Sequence, residues 1–317
     1  MIKEVQITIR LLILAAVFVA AACSGSTTSN AVLDVPGSQE APTPVSSIRN
    51  FMDDLGRNIE VKGEVRRVVS LAPSVTELVF AAGGGDRLVG VTSFCDFPEQ
   101  AKGIAKIGDT MNPNMETIVA MKPDMVFVST ASQVEAFTKT LEQNGILVYV
   151  TNPTTIDGVF YNIRQIADIL GTTDKAEPMI AALRDRVGKV WTKTRPAEKV
   201  RVFVQISREP LFTIGRDSFL NEPLAKAGAI SATVDVETAF PRLSKESALV
   251  LRPEAIILSD SEDNREPNEV FKDSPAVKNG RVYRIDADLI SRPGPRLVDA
   301  LEKLAAMLHP DLFKREE

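Results

Sequence analysis

Histidine and cysteine are nearly missing from this chain, which has one His and two Cys in 317 residues. Zinc centres draw on several such ligands, so no metal site is expected. Cys23 lies at the end of an N-terminal apolar run, which leaves Cys95 without a partner for an internal disulfide; folding must rest on the core. No long basic run occurs and the net charge is −5, which excludes nucleic acid as an expected partner. The apolar run Leu11–Ala22 is twelve residues, too short to span a bilayer comfortably. Neither a Gly-x-Ser-x-Gly elbow nor a phosphate loop is present. Gly83-Gly84-Gly85 follows a helical stretch, Thr76–Ala82, and so reads as a helix stop, not a nucleotide-binding turn. His309, close to Pro310 in the last helical stretch, is badly placed for a general base. These absences together point away from an enzyme.

What is present begins with an export pattern. Lys3 and Arg10 precede the run LLILAAVFVAAA, although Glu4 dilutes their charge. The run closes on Ala-Ala-Ala-Cys, which resembles a bacterial lipobox, with Ala20 where Leu is usual. That resemblance implies a signal peptide over residues 1–22, removed before Cys23, and a lipid on Cys23. Residues 23–50 are rich in Ser, Thr, Pro, Ala and Gly and bury too little apolar surface to fold, so they are expected to be a flexible tether. The protein is therefore expected outside the cytoplasm, anchored to a membrane.

The length exceeds one ordinary core and fits two domains. Strand patterns at Val68–Leu71, Leu88–Thr92, Met125–Ser129, Ile146–Thr151, Val200–Ile206, Ala255–Ser259 and Arg281–Ile285 alternate with helical ones, which predicts an α/β fold with mainly parallel sheets. Ile156, Val159, Ile163, Ile166 and Leu170 form one helical stripe, stopped by Gly171. A second helix runs from near Asp174 to Thr194, with Ile180, Leu183, Val187, Val190 and Trp191 on one face. At about 1.5 Å per residue it reaches from one lobe to the next. The predicted division is an N-terminal lobe over residues 51–172, a linker helix over 173–196 and a C-terminal lobe over 197–317. The lobes repeat a pattern: Glu116-Thr-Ile-Val-Ala-Met-Lys-Pro-Asp and Glu246-Ser-Ala-Leu-Val-Leu-Arg-Pro-Glu both read as a short helix, a basic-Pro-acidic turn and a buried strand. Two similar lobes leave a cleft between them, a common ligand site.

Several stretches then carry a family resemblance. Arg67-Val-Val-Ser-Leu-Ala-Pro-Ser-Val-Thr-Glu-Leu, Val89-Gly-Val-Thr-Ser-Phe-Cys-Asp-Phe-Pro, Asn112-Pro-Asn-Met-Glu-Thr-Ile-Val-Ala-Met-Lys-Pro-Asp and Ser291-Arg-Pro-Gly-Pro-Arg resemble the binding proteins for cobalamin, iron-siderophores and haem. Asp53-Asp-Leu-Gly-Arg57 resembles their leading β-hairpin. The resemblance covers about residues 50 to 313. It implies two Rossmann-like lobes joined by one long helix, modest closure, and membrane permease and ATPase partners of an ABC transporter. The nearest likeness is to cobalamin binders; a monomer is expected.

Site expectations follow from the same resemblance. Glu116 and Glu246 match acids that dock on permease arginines, although each also reads as a helix N-terminal acid. Phe94, Met111, Phe212 and Phe240 match or neighbour pocket aromatics, with core packing as the other reading. Arg292 matches a ligand-contacting position; it also suits a surface salt bridge. Arg296 is expected to begin the last helix. Cys95 either touches the ligand or is a small buried hydrophobe, and Asp96 either caps a turn or bonds a ligand amide. Pro73 and Ser74 open the first helix, with Ser74 as its N-cap and the backbone there facing the cleft. A corrinoid is the expected ligand, transported and not a cofactor, with a ferric siderophore or haem as the alternative. Tyr149, Tyr161 and Tyr283 fall on regular elements and not on cleft loops, which weighs against haem.

Overall fold

The computed structural model describes residues 48–314 except 131 and 133. The signal peptide, Cys23 and almost all of the expected tether lie outside the described residues. The tether's last three expected residues, 48–50, instead belong to a strand. Strands β1 (Ile48–Met52) and β2 (Asn58–Lys62) form an antiparallel hairpin. Its turn is organised by Asp53, whose Oδ1 accepts from the backbone N–H of Leu55 and Arg57 and whose Oδ2 pairs with the Arg57 guanidinium at 2.7 Å.

The N-terminal lobe follows with β3 (Val68–Ser70), α1 (Pro73–Ala81), β4 (Leu88–Val91), α2 (Met115–Ala120), β5 (Met125–Ser129), α3 (Val134–Gln143), β6 (Leu147–Thr151) and α4 (Ile156–Leu170). Its four strands are parallel in the order β4-β3-β5-β6. The hairpin covers the otherwise open edge of β6: Asp54 N–H donates to the Val150 carbonyl, Arg57 to the Val148 carbonyl, and the Tyr149 hydroxyl to the Met52 carbonyl. The expected leading hairpin thus acts as an edge guard.

Gly171, at φ +67°, closes α4 in the left-handed conformation that Gly tolerates best. Helix α5 (Thr173–Thr194) then runs 22 residues, about 33 Å at 1.5 Å per residue. It buries Ala176, Ile180, Leu183 and Val190. Trp191 departs from the expected apolar face: it is 37% exposed, and the amines of Lys199 and Lys226 lie over its ring as cation–π partners.

The C-terminal lobe comprises β7 (Val200–Ser207), β8 (Phe212–Thr213), α6 (Asn221–Lys226), β9 (Ala229–Ser231), α7 (Lys245–Leu249), β10 (Ala255–Asp260), α8 (Pro275–Lys278), β11 (Val282–Asp286), α9 (Ala287–Ser291) and α10 (Leu297–Leu308). Its parallel strands repeat the N-terminal permutation as β9-β7-β10-β11, with β8 added antiparallel on β7. His309 follows α10 as its C-cap, its Nε2 3.0 Å from the Gly228 carbonyl oxygen.

The repeated sequence pattern is repeated in atomic detail. Asn114 and Ser244 cap α2 and α7 by accepting from Thr117 and Ser247 N–H. Lys122 and Arg252 then adopt φ of 47° and 43°, rare for residues with a Cβ. The acids after each Pro return to the first strand of their lobe. Asp124 accepts from the N–H of Arg66 and Arg67, and Glu254 from the N–H of Arg201.

One apolar core passes from α1 and α4 through α5 into α10 and the C-terminal sheet, while the outer faces of the two sheets carry separate cores. The lobes therefore belong to one compact unit. Arg186 of α5 ties the linker to α10 through Asp299 and Glu302.

Removing these turn acids tests the duplicated device. Asp124→Ala is expected to lower the unfolding free energy by about 1–2 kcal/mol, and Glu254→Ala by roughly half as much, because it holds one backbone N–H instead of two. Urea denaturation of the purified chain measures both; equal losses would contradict the assignment.

Candidate functional site

In open α/β sheets, ligands bind beyond the carboxyl ends of the strands. A cleft of about 670 Å³ lies at that place between the lobes. The N-terminal lobe contributes Ala72–Ser74 after β3, Phe94 after β4, Thr130 after β5 and Asn152 after β6. The C-terminal lobe contributes Asp217 and Phe219 after β8, Phe240, and the Asp288–Pro293 region after β11.

Of the residues expected at a ligand site, Pro73, Ser74, Phe94, Phe240 and Arg292 line this cleft. Phe94 is 61% exposed and Phe240 43%, unusual for such large apolar rings. Phe240 meets Phe219 edge to face, centroids 6.3 Å apart. Ser74 is not the N-cap of α1. Ala72 takes that place with Pro73 at the first helical position, where a missing N–H costs nothing.

Four expected ligand contacts lie outside this lining: Cys95, Phe212, Met111 and Asp96. Cys95 is only 1% exposed, with its sulfur 3.1 Å from the hydroxyls of both Thr76 and Thr92. It is the small buried residue of the two readings. Phe212 is half-buried in β8, where pairing with Ser207 and Arg242 holds it outside the cleft lining. Met111 sits in a turn fixed by the Asp109 carboxylate, which accepts from Met111 and Asn112 N–H; its neighbour Thr110 lines the cleft instead.

Asp96 is neither a turn cap nor a lining residue; its carboxylate meets Arg292 at 2.9 Å. Arg292 also contacts Asp288 at 2.7 Å and Glu77 at 3.6 Å. Arg296, at the N-cap of α10, grips Glu77 with two donors at 2.7 and 3.1 Å and stacks on Phe97, 4.2 Å from the ring centre. Glu77 and Asp96 belong to one lobe and the arginines and Asp288 to the other. The cluster therefore joins the lobes at the cleft.

Its electrostatics follow from burial. Glu77 has a side chain only 1% exposed, and desolvation raises its pKa above the usual carboxylate range against the pull of Arg296 and Arg292. Burial likewise raises Asp288, with Arg292 opposing it. For Asp96 the net direction reverses. Burial pushes upward, but the hydrogen bond and charge of Arg292 together hold the carboxyl below its ordinary value.

Sequence reasoning missed Phe219, Asp217 and Asp288 as lining residues. Asp288 stands four residues before Arg292 and pairs with it, a spacing that would have suggested the contact. Phe219 and Asp217 carry no local signal, since the chain path after β8 brings them to the cleft.

Glu116 and Glu246 sit far from this cluster in sequence, each exposed in the first turn of its short helix. Neither carboxylate has a salt-bridge partner among the described residues. The backbone N–H of Glu246 and the Ser244 hydroxyl hold the Glu246 carboxyl below the usual range.

Two pseudo-symmetric α/β lobes, a joining helix and a cleft at the strand ends define a two-lobe solute-binding protein. The profile of the family described as Periplasmic binding protein matches residues 68–289, and the chain belongs to that family. It is 33% identical over 272 residues to the uncharacterized ABC transporter substrate-binding lipoprotein YvrC of Bacillus subtilis (strain 168), covering 83% of this chain and 86% of that one. The structure of the periplasmic vitamin B12 binding protein BtuF of Vibrio cholerae superposes with a TM-score of 0.69 at 26% identity, over 79% of this chain and 99% of that one. The periplasmic haem-binding protein RhuT of Roseiflexus sp. RS-1 shares the fold, with a TM-score of 0.69 at 24% identity over 78% and 99% of the two chains. The protein is thus an ABC-transporter substrate-binding protein of the B12, haem and iron-siderophore class.

The interlobe cluster makes a stability prediction. Glu77→Gln keeps the shape but leaves two arginines without their buried anion, and is expected to cost about 3 kcal/mol. A fall in the urea midpoint with an unchanged denaturant slope would bear this out; an unchanged midpoint would refute it.

Proposed function

We propose that this protein is a lipid-anchored carrier, and not an enzyme, that captures cobalamin or a related corrinoid in the interlobe cleft and hands it to an ABC permease. The observation that carries the ligand is the make-up of the lining: phenylalanines from both lobes, hydroxyl and amide groups between them, and no Tyr, His or Cys among the described residues. A corrin ring offers broad apolar faces and an amide rim. Phe94 on one wall and the Phe219–Phe240 pair on the other suit the faces. Asp217, Asp288 and Asn152 suit the amide donors. The likeness to vitamin B12 binders supports the same choice. A ferric siderophore or haem is the second reading, favoured by Arg292, the single cationic side chain among the lining residues described.

Titration of the purified chain with cyanocobalamin by calorimetry tests the ligand. One-to-one binding at micromolar strength or tighter is expected. Phe240→Ala should then weaken it by about tenfold through lost ring contact, whereas Phe212→Ala should leave it unchanged. Absence of heat at several temperatures, with folded protein, would remove cobalamin and leave the carrier class standing.

Docking on the permease is assigned to Glu116 and Glu246, the exposed acids at the equivalent positions of the two lobes. Anchoring is assigned to Cys23, and the working unit is a monomer outside the cytoplasm. In cells, the double variant Glu116→Ala, Glu246→Ala should keep ligand binding and lose uptake, while Cys23→Ser should move the protein from the membrane to the soluble fraction. Full uptake by the double variant would remove the docking role, and retention of Cys23→Ser at the membrane would remove the anchor.

A further inference from the structure

Arg292 ends α9 at the cleft, a place where a lone guanidinium would draw in anions. It is not alone. Asp288 takes one of its nitrogens at 2.7 Å, Asp96 takes the other at 2.9 Å, and Glu77 stands 3.6 Å behind. Only 12% of the Arg292 side chain is exposed. The other arginine of the cluster, Arg296, is itself engaged with Glu77 and Phe97. Three acids thus face two bases, and Asp217, on the same cleft, adds a further acid with no ion-pair partner among the described residues. No lysine lines the cleft among the described residues.

The arrangement is held in place from both sides. Asp288 and Arg292 are one helical turn apart, and Pro293-Gly294-Pro295 carries the chain straight onto α1. A Cβ at Gly294 would come within 3.3 Å of Glu77 Oε2 and 3.6 Å of the Ser74 carbonyl, so the loop lies close against the helix.

We propose that Asp288 and Asp96, backed by Glu77, are specificity-determining residues that fill the donors of Arg292 and make the cleft select neutral ligands over anionic ones. An entering carboxylate or catecholate must displace one of these acids, and the displaced acid then faces a like charge in a partly desolvated site. A neutral amide meets no such conflict. Its N–H groups donate to Asp217 or Asp288, and its carbonyl accepts from whatever guanidinium edge remains open. This inference rests on the cleft being the binding site, and it deepens the preference for an amide-rimmed ligand.

The test compares ligands matched in shape and different in charge. The purified full-length chain is titrated with cyanocobalamin and with its monocarboxylate, in which one propionamide is hydrolysed. In parallel it is titrated with a neutral ferric trihydroxamate and with the same complex carrying one added carboxylate. Wild type should favour the neutral member of a pair by about tenfold or more. The double variant Asp96→Asn, Asp288→Asn should bring that ratio close to one by strengthening the anionic member, and Asp288→Glu should retain the preference. Binding of the neutral trihydroxamate without binding of either corrinoid would end the corrinoid reading while the charge filter stands. Wild type taking the anionic member as tightly as the neutral one would overturn the filter. So would a double variant that weakens both members equally, since that is the mark of a merely structural role.

Discussion

Glu77 sits in the first helix of the N-terminal lobe, and both of its arginine partners belong to the other lobe. A carboxylate this buried is costly to desolvate, and that cost is offset only while the guanidiniums stay in place. The two lobes are therefore fastened at the cleft itself. They are fastened again behind it by α5, which shares an apolar core with both lobes and is tied to α10 by Arg186. Two fastenings on either side of the ligand site leave little room for wide opening. A cleft fixed in this way gains affinity by being formed beforehand, not by folding around its ligand.

The duplicated half-lobe explains how two distant surfaces come to look alike. In each, a polar cap starts a short helix, a basic residue turns left-handed, a Pro fixes the next residue, and an acid binds the backbone of the lobe's first strand. Positive φ at a residue with a Cβ is disfavoured, and it persists here because the following Pro and acid over-determine the turn. The result is that Glu116 and Glu246 each stand two residues after the cap and six before the left-handed basic residue. The docking proposed for these two acids would therefore rest on equivalent backbone in the two lobes, not on flexible loops.

Features set by local rules were legible in the sequence. The parallel strands, Gly171 as a helix stop, the long linker and the repeated turn each depend on neighbouring residues, and the structure has them within a residue or two of the expected bounds. The Asp53–Arg57 turn was legible only through the family resemblance, although in the structure one carboxylate organises it. The cleft was legible only in part. Glu77 lies within a quoted motif, yet its ion pair spans 219 positions to Arg296, and no local pattern encodes such a contact. Phe212 and Phe219 are both phenylalanines close to a turn. Strand pairing takes the first out of the cleft lining and the chain path brings the second into it. Trp191 fitted the helical stripe by spacing, but two lysines supply its ring with a cationic cover at the surface.

The shared fold carries no choice of ligand by itself, since the same two-lobe scaffold is seen in a B12 binder and in a haem binder. Choice must come from the loops at the strand ends, and here those loops divide the work. The 94–97 loop and the 288–296 segment supply charge and join the lobes, with Phe97 buttressing Arg296. The Phe219 and Phe240 loops supply apolar area and make no ion pair among the described residues. A substitution in the second group changes how much surface a ligand buries and leaves the lobes fastened. A substitution in the first group changes both the charge that a ligand meets and the joint that holds the cleft open to it. Ligand charge and lobe geometry are coupled in this protein because the same arginines set both.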